Sequence, residues 1–282
     1  MKKAKKIALL IAAVLIVAGF ILSIAALSFV KFDISELNTT KLTTKTHEVD
    51  KDFQNIRISA DVYDVRLLPS KDNRCKVVCA EGTDVTCTVA VEGDTLVIEQ
   101  TDQRDWWKYI GFNWQERKLI VYLPKTQYNE FTMESMDGDV EIPEDFAFTE
   151  VSIHNTSGDI SFGAAVKETL SMETVSGDLE LQNVTAKNIE LQSISGDIEC
   201  LRVMAQEQMR MESTSGEIEL KRCDAATMFL KTVSGDVEGT LLSGKMFEID
   251  TVSGDVEIPV SSTGGTCRIE TISGDIEIEA RN

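Results

Sequence analysis

A Ser-Gly-Asp tripeptide, or a close variant of it, recurs eight times in the second half of the sequence and constrains the fold more than any other feature. The glycines of these repeats are Gly138, Gly158, Gly177, Gly196, Gly216, Gly235, Gly254 and Gly274. Successive glycines are separated by 19 or 20 residues. A repeat of this length and regularity indicates a solenoid, in which each unit is one coil stacked on its neighbours.

Apolar residues alternate with polar ones on both sides of each glycine. Around Gly177 they are Leu170 and Met172 before the corner and Leu179 and Leu181 after it. A period of two is typical of a strand, so each unit is predicted to be two short strands that meet at a Ser-Gly-Asp corner. Glycine accepts positive φ there, and Ser and Asp side chains can satisfy turn amides.

A single coil cannot bury enough apolar surface to offset the conformational entropy of ordering it. We therefore expect successive coils to stack through parallel ladders. The same offsets place Ile198 and Val256 in the interior. The predicted fold class is all-β, a single-stranded β-solenoid (β-helix) with about 19–20 residues per coil, preceded by one N-terminal transmembrane helix.

The predicted segments follow from these patterns. They are a basic cytoplasmic tail over 1–6, a transmembrane helix over 7–30, a tether over 31–50, an N-terminal β section capping the solenoid over 51–130, and the repeat solenoid over 131–282.

The N-terminus carries four lysines within six residues, followed by 24 uncharged residues from Ile7 to Val30. A run of that length can span a bilayer, and the lysines favour a cytoplasmic N-terminus. A cleaved signal peptide, with Ser23-Ile-Ala25 as its cleavage site, is the alternative. Both interpretations place the rest of the chain outside the cytoplasm, and the first predicts a single-pass protein of the cell membrane that contacts lipid through 7–30.

Degenerate repeats precede the regular ones. Residues Asn55–Leu68 fit the offsets of one coil if Tyr63 stands where the glycine should be. Further strands are predicted at 75–80, 85–91, 95–99 and 118–123, with Glu92-Gly-Asp94 as a hairpin turn. These strands would cap the open end of the solenoid, which otherwise exposes unpaired strand edges.

All three tryptophans lie in one short aromatic segment. Its candidate binding residues are Trp106, Trp107, Tyr109, Phe112 and Trp114. They form either an apolar plug of the cap or an exposed surface that contacts a glycan, a partner protein or the membrane interface.

The acidity of the chain belongs to the repeats, because residues 131–282 contain 30 acidic and 10 basic residues. A surface of that sign argues against nucleic acid and anionic lipid headgroups as partners of the solenoid. One row of carboxylates should stack at the corners: Asp139, Asp159, Asp178, Asp197, Glu217, Asp236, Asp255 and Asp275. A second row should lie two positions on: Glu141, Glu180, Glu199, Glu219, Glu238, Glu257 and Glu277, interrupted by Ser161.

Two interpretations of these rows stay open. They are a solvated acidic face that keeps the protein soluble, or a ladder in which oxygens of adjacent corners hold Ca²⁺. A thermal midpoint unchanged by millimolar Ca²⁺ would remove the second interpretation.

Residues for catalysis are scarce. Neither of the two histidines, His47 and His154, has a plausible serine or cysteine nucleophile at a strained turn, and no Walker loop, dinucleotide fingerprint or zinc spacing occurs. The sequence therefore predicts that the protein is not an enzyme. Cys200, Cys223 and Cys267 occupy inward offsets as small core residues.

Three cysteines remain in the N-terminal β section. Cys79 and Cys87 could face each other across a hairpin containing Gly82, so that one disulfide is possible and Cys75 would be left over.

The repeat Thr-Val-Ser-Gly-Asp-Leu-Glu-Leu, preceded by Lys-Leu-Ile-Val-Tyr-Leu-Pro124, resembles the bacterial putative-adhesin family, a domain of unknown function that includes LiaG-like proteins. The segment Trp-Trp-Lys-Tyr-Ile-Gly-Phe resembles its Gram-positive members. The resemblance covers about residues 50–282 and implies a β-solenoid at the cell envelope, without catalytic residues.

The sequence is compatible with three functions. The first is a non-enzymatic, membrane-anchored cell-envelope protein, an adhesin or interaction scaffold that binds a surface polymer or envelope protein. The second is an accessory protein of envelope-stress signalling, and the third a polysaccharide-acting β-helix enzyme with paired carboxylates. Identical, recurring carboxylates with no unique subsite argue against the third.

Overall fold

The structure is a computed structural model that describes residues 15, 16, 18–20, 22, 24, 42–103, 117–260 and 263–280. The chain divides into two units, residues 1–42 with 103–116, and residues 43–102 with 117–282. In the first unit the described residues between 15 and 24 are helical. Among the described residues, no helix is both long enough and apolar enough to cross a bilayer. The predicted span over 7–30 lies largely outside the described residues and stays a prediction.

The described part of the second unit is all-β, which confirms the predicted class. Its strands are β1 (Thr43–Val49), β2 (Asn55–Val62), β3 (Asp64–Pro69), β4 (Cys75–Glu81), β5 (Val85–Glu92), β6 (Thr95–Asp102), β7 (Lys118–Leu123), β8 (Gln127–Asp137), β9 (Val140–Ile142), β10 (Ala147–Ser157), β11 (Ile160–Phe162), β12 (Ala165–Ser176), β13 (Leu179–Gln182), β14 (Thr185–Ser193), β15 (Ile198–Leu201), β16 (Met204–Ser213), β17 (Ile218–Lys231), β18 (Val237–Leu241), β19 (Lys245–Ser253), β20 (Val256–Glu257), β21 (Gly265–Ser273) and β22 (Ile276–Ala280).

The coils stack as two ladders, here called the first face and the second face. The first face, which precedes the corners, runs β5-β6-β2-β8-β10-β12-β14-β16-β17-β21-β19. The second face, which follows the corners, runs β1-β4-β7-β3-β9-β11-β13-β15-β17-β18-β22-β20. Pairing between coils is parallel throughout, and the long strand β17 passes from the second face into the first.

The interior is built from the alternating apolar residues. Leu170 pairs with Ile189 in the first face and Leu179 pairs with Ile198 in the second, and all four are buried. Like residues therefore stack on like residues from coil to coil. Burying each such side chain contributes about 1.5–3 kcal/mol. A single coil would not gain this stabilisation, because the side chains are covered by the adjacent coils.

The predicted degenerate coil is confirmed. Strands β2 and β3 pair with β8 and β9, the strands of the first regular coil. A Cβ built on Gly138 would lie 2.4 Å from the carbonyl oxygen of Tyr63. Tyr63 therefore occupies the corner position, directly beneath the first glycine corner, and its ring is buried.

The order of the coils in space differs from their order in the chain at the C-terminal end. Strands β21 and β22 lie between the coil of β17 and β18 and the coil of β19 and β20. The coil over 245–258 is therefore the last rung in space, and the last coil in sequence lies inside the stack.

This order corrects the prediction that Val256 is buried. Val256 is 42% exposed, because no further coil among the described residues covers the rung to which it belongs. Ile278, in the last coil of the sequence, is buried instead.

A buried ion pair joins the coil over 245–258 to strand β17. Lys245, at the start of β19, is 2% exposed, and its Nζ forms a salt bridge with Asp224 and donates to Ala225 O at 2.6 Å. Its strand neighbour is Gly265 of the intervening coil. A Cβ there would meet Ala226 O at 2.2 Å, so a larger residue would not fit between the two coils.

The N-terminal end shows the same inversion. The coil formed by β6 and β7 lies outside the coil of β2 and β3, which precedes it in the chain. Beyond it the antiparallel strands β5, β4 and β1 complete the cap. The predicted hairpin turn between β5 and β6 is present, with Gly93 at φ 63°. The predicted tether over 31–50 is wrong for residues 43–49, which form β1 and pair with β4, whereas 31–41 lie outside the described residues.

Candidate functional site

The corners bring the coils closer together than side chains would allow. A Cβ on Gly196 would lie 1.9 Å from the carbonyl oxygen of Gly177, and one on Gly216 would lie 2.0 Å from that of Gly196. The φ of Gly138, Gly158 and Gly177 is positive, but the φ of Gly196 and Gly216 is not in the left-handed region. Close approach of backbones is therefore the requirement that all these corner glycines share.

The aspartates of the corners form a ladder of hydrogen bonds from coil to coil. The N–H of Asp159 donates to Asp139 Oδ1 at 3.0 Å, and the N–H of Asp178 donates to Asp159 Oδ1 at 2.9 Å. The same bond links the further pairs Asp139–Asp64, Asp197–Asp178, Glu217–Asp197, Asp275–Asp236 and Asp255–Asp275, donor first. The predicted stacking is therefore present in spatial rather than chain order, and one carboxylate oxygen of each acceptor satisfies a backbone amide.

Glu217 interrupts this ladder. Its own N–H donates to Asp197 Oδ1 at 2.8 Å. In the described part of the chain no bond of this kind runs from the N–H of Asp236 to the Glu217 carboxylate. Glutamate is one methylene longer than aspartate and cannot fold back onto the same amide. Burial, followed by repulsion from Glu238 and Asp197, raises the pKa of Glu217 above its ordinary value.

The second row of carboxylates lies in register along the second face. Its paired positions are Glu141, Ser161, Glu180, Glu199, Glu219, Glu238, Glu277 and Glu257, in spatial order. Arg66 extends the row at its N-terminal end and forms a salt bridge with Glu141. Adjacent positions in a ladder are about 4.8 Å apart, so the row presents closely spaced negative charges.

Neighbouring glutamates repel one another within the row. Burial acts first, and the neighbours Glu219 and Glu180 act next, to raise the pKa of Glu199 above its ordinary value. Lys221 offsets part of this charge through a salt bridge with Glu219 at 2.5 Å. The row therefore favours binding of a cation, which would relieve the repulsion. Whether Ca²⁺ binds the corner aspartates stays a prediction. Each acceptor aspartate could offer the ion the carboxylate oxygen that no amide uses.

The aromatic candidates Trp106, Trp107, Tyr109, Phe112 and Trp114 lie outside the described residues. Both of their interpretations, plug and exposed surface, stay predictions. Strands β6 and β7 flank the segment in the sequence.

A serine, a histidine and a carboxylate follow one another on the outer side of the first face. Ser152 Oγ lies 3.3 Å from His154 Nε2, and His154 Nδ1 lies 3.0 Å from Glu173 Oε2. This is the order of groups in serine hydrolases. The side chains of His154 and Glu173 are, however, 51% and 55% exposed. The strands that carry them, β10 and β12, are paired on both sides, so their amides are committed to ladders rather than available as an oxyanion hole.

The cap contains a cluster that the sequence did not predict. One ligand atom each from His47, Cys79 and Cys87 lies within 4.8 Å of the others. The predicted hairpin between the two cysteines is wrong as a ladder, because β4 pairs with β1 and β7 in the second face whereas β5 pairs with β6 in the first. The thiols nevertheless meet in the interior. Spacing could not reveal the cluster because its third member comes from a strand more than thirty residues earlier.

All six cysteines are described and none forms a disulfide. Cys200, Cys223 and Cys267 are buried, as predicted. Burial raises the pKa of Cys223 to about 11 and that of Cys267 to about 12, and it raises the pKa of Cys200 as well. These thiols are small core residues that stay protonated.

The chain was compared with known families and structures. A family model described as Toastrack DUF4097 matches residues 53–200 and 163–282. No curated protein matches the sequence.

Several solved structures are similar to the fold. A putative adhesin from Bacteroides fragilis is 18% identical, with a TM-score of 0.55 over 86% of this chain and 97% of its own. A putative adhesin from Parabacteroides distasonis is 12% identical, with a TM-score of 0.47 over 85% and 98%. A putative lipid binding protein from Parabacteroides distasonis is 12% identical, with a TM-score of 0.38 over 85% and 97%.

Proposed function

Because this chain belongs to the Toastrack DUF4097 family, we propose that it is a non-enzymatic scaffold of the cell envelope that binds cationic groups repeated along an envelope polymer. The observation that carries the proposal is the in-register row of glutamates on the second face. Adhesin is also the name borne by the similar Bacteroides fragilis structure, and we extend that role to this chain as part of the proposal.

Repetition is what suits the row to a polymer. Every coil from Glu180 onward adds one carboxylate at about the same spacing, so a ligand with regularly repeated cations can contact several coils at once. A single exposed ion pair contributes at most about 1 kcal/mol. Binding along the row would therefore be weak for one cation and strong for many, which distinguishes a scaffold from a pocket for a small molecule.

The absence of a catalytic role is part of the same proposal. Along the described part of the row the glutamates lie side by side on one face of a sheet, and Ser152, His154 and Glu173 lie exposed on the other face without an oxyanion hole. A glycosidase would instead need two carboxyl groups that flank the bound glycosidic bond.

The test uses the full chain in detergent and oligolysine peptides of about three and about ten residues as probes. We expect the longer peptide to bind at least about 100-fold more tightly, since linked contacts multiply. The triple variant Glu180→Gln, Glu199→Gln, Glu219→Gln should lose most of that advantage.

A matched control keeps the net charge change and moves it to the first face. The variant Glu173→Gln, Glu190→Gln, Glu212→Gln should bind the long peptide nearly as well as the unaltered chain. Equal affinity for the two peptides would contradict the proposal, and so would equal weakening by the two triple variants, because net charge alone would then explain binding.

Anchoring at the cell membrane completes the proposed function. The uncharged run over 7–30, with four lysines before it, supports a single-pass anchor with a cytoplasmic N-terminus. Protease added to intact cells should then digest an epitope tag at the C-terminus and spare one at the N-terminus. Digestion of the C-terminal tag only after lysis would contradict this orientation.

A further inference from the structure

Three side chains that bind soft metal ions converge at the capped end of the coils. His47 of β1, Cys79 of β4 and Cys87 of β5 each contribute one ligand atom to a group whose members lie within 4.8 Å of one another. Cys79 is fully buried and Cys87 is 8% exposed, whereas the side chain of His47 is 30% exposed. The two cysteines come from opposite faces, and the histidine closes the cluster from the edge strand.

The pairing of β1 with β4 determines where His47 points. In this antiparallel pair Lys45 lies opposite Cys79 and His47 lies opposite Val77. Side chains directly opposite each other project to the same side of a sheet, so His47 and Lys45 share the inward side with Val77 and Cys79. Val77 is fully buried, which confirms that this side faces the interior of the cap.

Glu81 holds the histidine in place. Its Oε1 lies 2.8 Å from His47 Nε2 and 3.9 Å from Cys79 Sγ, and its Oε2 accepts from Lys45 Nζ at 2.5 Å. Burial acts to raise the pKa of Glu81, but the bonds from Lys45 and His47 outweigh it and lower the pKa below its ordinary value. A carboxylate paired with one histidine nitrogen is the arrangement that orients histidine ligands in metal sites.

We propose that His47, Cys79 and Cys87 bind one Zn²⁺ ion, with Glu81 orienting His47 from outside the set of ligands. Cysteine sulfur and histidine nitrogen are the ligands that Zn²⁺ prefers, in tetrahedral geometry. Ligand atoms around tetrahedral zinc are separated by about 3.5 Å, so the three side chains need to approach one another by only about 1 Å. Three strands supply them, and Glu81 follows Cys79 by two residues on the same strand.

The charges balance when zinc is bound. Binding displaces the two thiol protons to solvent, and the two thiolates then neutralise the divalent ion. Glu81 keeps its own counter-charge in Lys45. The buried cluster therefore gains no net charge, which would otherwise be costly in the interior.

Cys75 offers a matched comparison within the cap. It lies four residues from Cys79 on the same strand and is also buried, but it does not belong to the cluster of ligand atoms.

The experiment uses the full chain in detergent, reduced and freed of metal, and titrates it with Zn²⁺ against a chromophoric chelator. We expect one Zn²⁺ per chain. Co²⁺ in place of Zn²⁺ should give the visible bands of a tetrahedral site and thiolate charge transfer in the near ultraviolet. The variants Cys79→Ser and Cys87→Ser should each weaken Zn²⁺ binding by more than about 100-fold, and Glu81→Gln by about 10–100-fold.

The control is Cys75→Ala, which removes a buried thiol of the same strand and should leave both affinity and spectrum unchanged. His47→Gln changes a partly exposed side chain, so it tests the site even if a cysteine variant fails to fold, and it should abolish stoichiometric binding. Absence of charge-transfer bands in the folded chain would overturn the proposal. A thiol count gives a second contradicting outcome. If protein purified without reductant has four rather than six free thiols, and added Zn²⁺ does not prevent this loss of two thiols, then Cys79 and Cys87 form a disulfide and the proposal is wrong.

Discussion

Replacing Gly196 by alanine tests whether contact between corner backbones, rather than turn geometry, is what each coil requires. The new Cβ would lie 1.9 Å from Gly177 O and 2.4 Å from Gly177 C, whereas real Cβ contacts stay above 3.0 Å. The two coils must therefore separate by about 1 Å at the corner. Because the φ of Gly196 is not in the left-handed region, alanine would otherwise stabilise the protein by about 0.4–1 kcal/mol through the unfolded state. A destabilising substitution would thus indicate contact between the corner backbones, and a stabilising one would contradict it.

The expected loss of stability follows from the hydrogen bonds that cross this corner. The N–H of Asp197 donates to Asp178 Oδ1 at 2.8 Å, and Ser193 Oγ donates to Gly177 O at 3.3 Å. Weakening these two bonds costs about 1–2 kcal/mol each, the larger value applying to the charged acceptor. Strain from overpacking adds about 1–3 kcal/mol. We expect Gly196→Ala to lower the free energy of unfolding by about 4 kcal/mol, equivalent to roughly 8–16 °C in Tm for a domain of this size.

The assay is thermal and urea unfolding of the full chain in detergent, followed by circular dichroism. The matched control is Gly163→Ala, where the Cβ would lie no closer than 3.3 Å to a backbone atom, and we expect its effect to stay within about 1 kcal/mol. Gly93→Ala, at φ 63° with open space around it, isolates the cost of the left-handed backbone, about 1–2 kcal/mol. If Gly196→Ala were no more destabilising than Gly163→Ala, close packing of the corners would not explain the glycine repeat.

Three further predictions follow from the carboxylates and the buried lysine. Glu217→Asp should raise the free energy of unfolding by about 1 kcal/mol, because the shorter side chain can accept the Asp236 N–H and complete the ladder; a lower urea midpoint would contradict this. Burial and neighbouring glutamates raise the pKa of Glu199 above its ordinary value of 4.5, so the folded state binds this proton more tightly than the unfolded state does. The stability of the folded state therefore increases as the pH falls from 7 toward 4.5. Glu199→Gln should therefore be more stable than the unaltered chain at pH 7 and should show a smaller gain between pH 7 and 5, in urea midpoints measured at both pH values; parallel curves would refute the assignment. Lys245→Ala should cost about 3–5 kcal/mol because it leaves the Asp224 carboxylate without its cation, and hydrogen exchange should show the loss first in the two C-terminal coils; uniform loss of protection would contradict a local role.

The corners and the interior could be predicted from sequence because each depends on neighbours in the chain. Alternation around Gly177 determines which side chains face inward, and the offsets around Tyr63 identify a coil that has lost its glycine. The spatial order of the coils could not be predicted in this way. Val256 and Ile276 occupy the same offset, so periodicity cannot tell which of them lies at the open end.

The cluster in the cap was missed for a related physical reason. His47, Cys79 and Cys87 lie on strands of both faces, and only the capping topology brings them together. A sequence search for zinc ligands relies on pairs separated by a few residues within one turn. The acidic rows, by contrast, could be predicted residue by residue, because parallel pairing of equal repeats places equivalent positions side by side.

The inverted order of the last two coils makes the coil over 245–258 depend on strands that follow it in the chain. Strands β19 and β20 pair only with β21 and β22 among the described strands. A nascent chain that stops near residue 262 would therefore lack not one rung but two, since residues 245–258 would have no ladder to join. A prematurely terminated product would carry residues 245–258 unpaired and accessible to proteases.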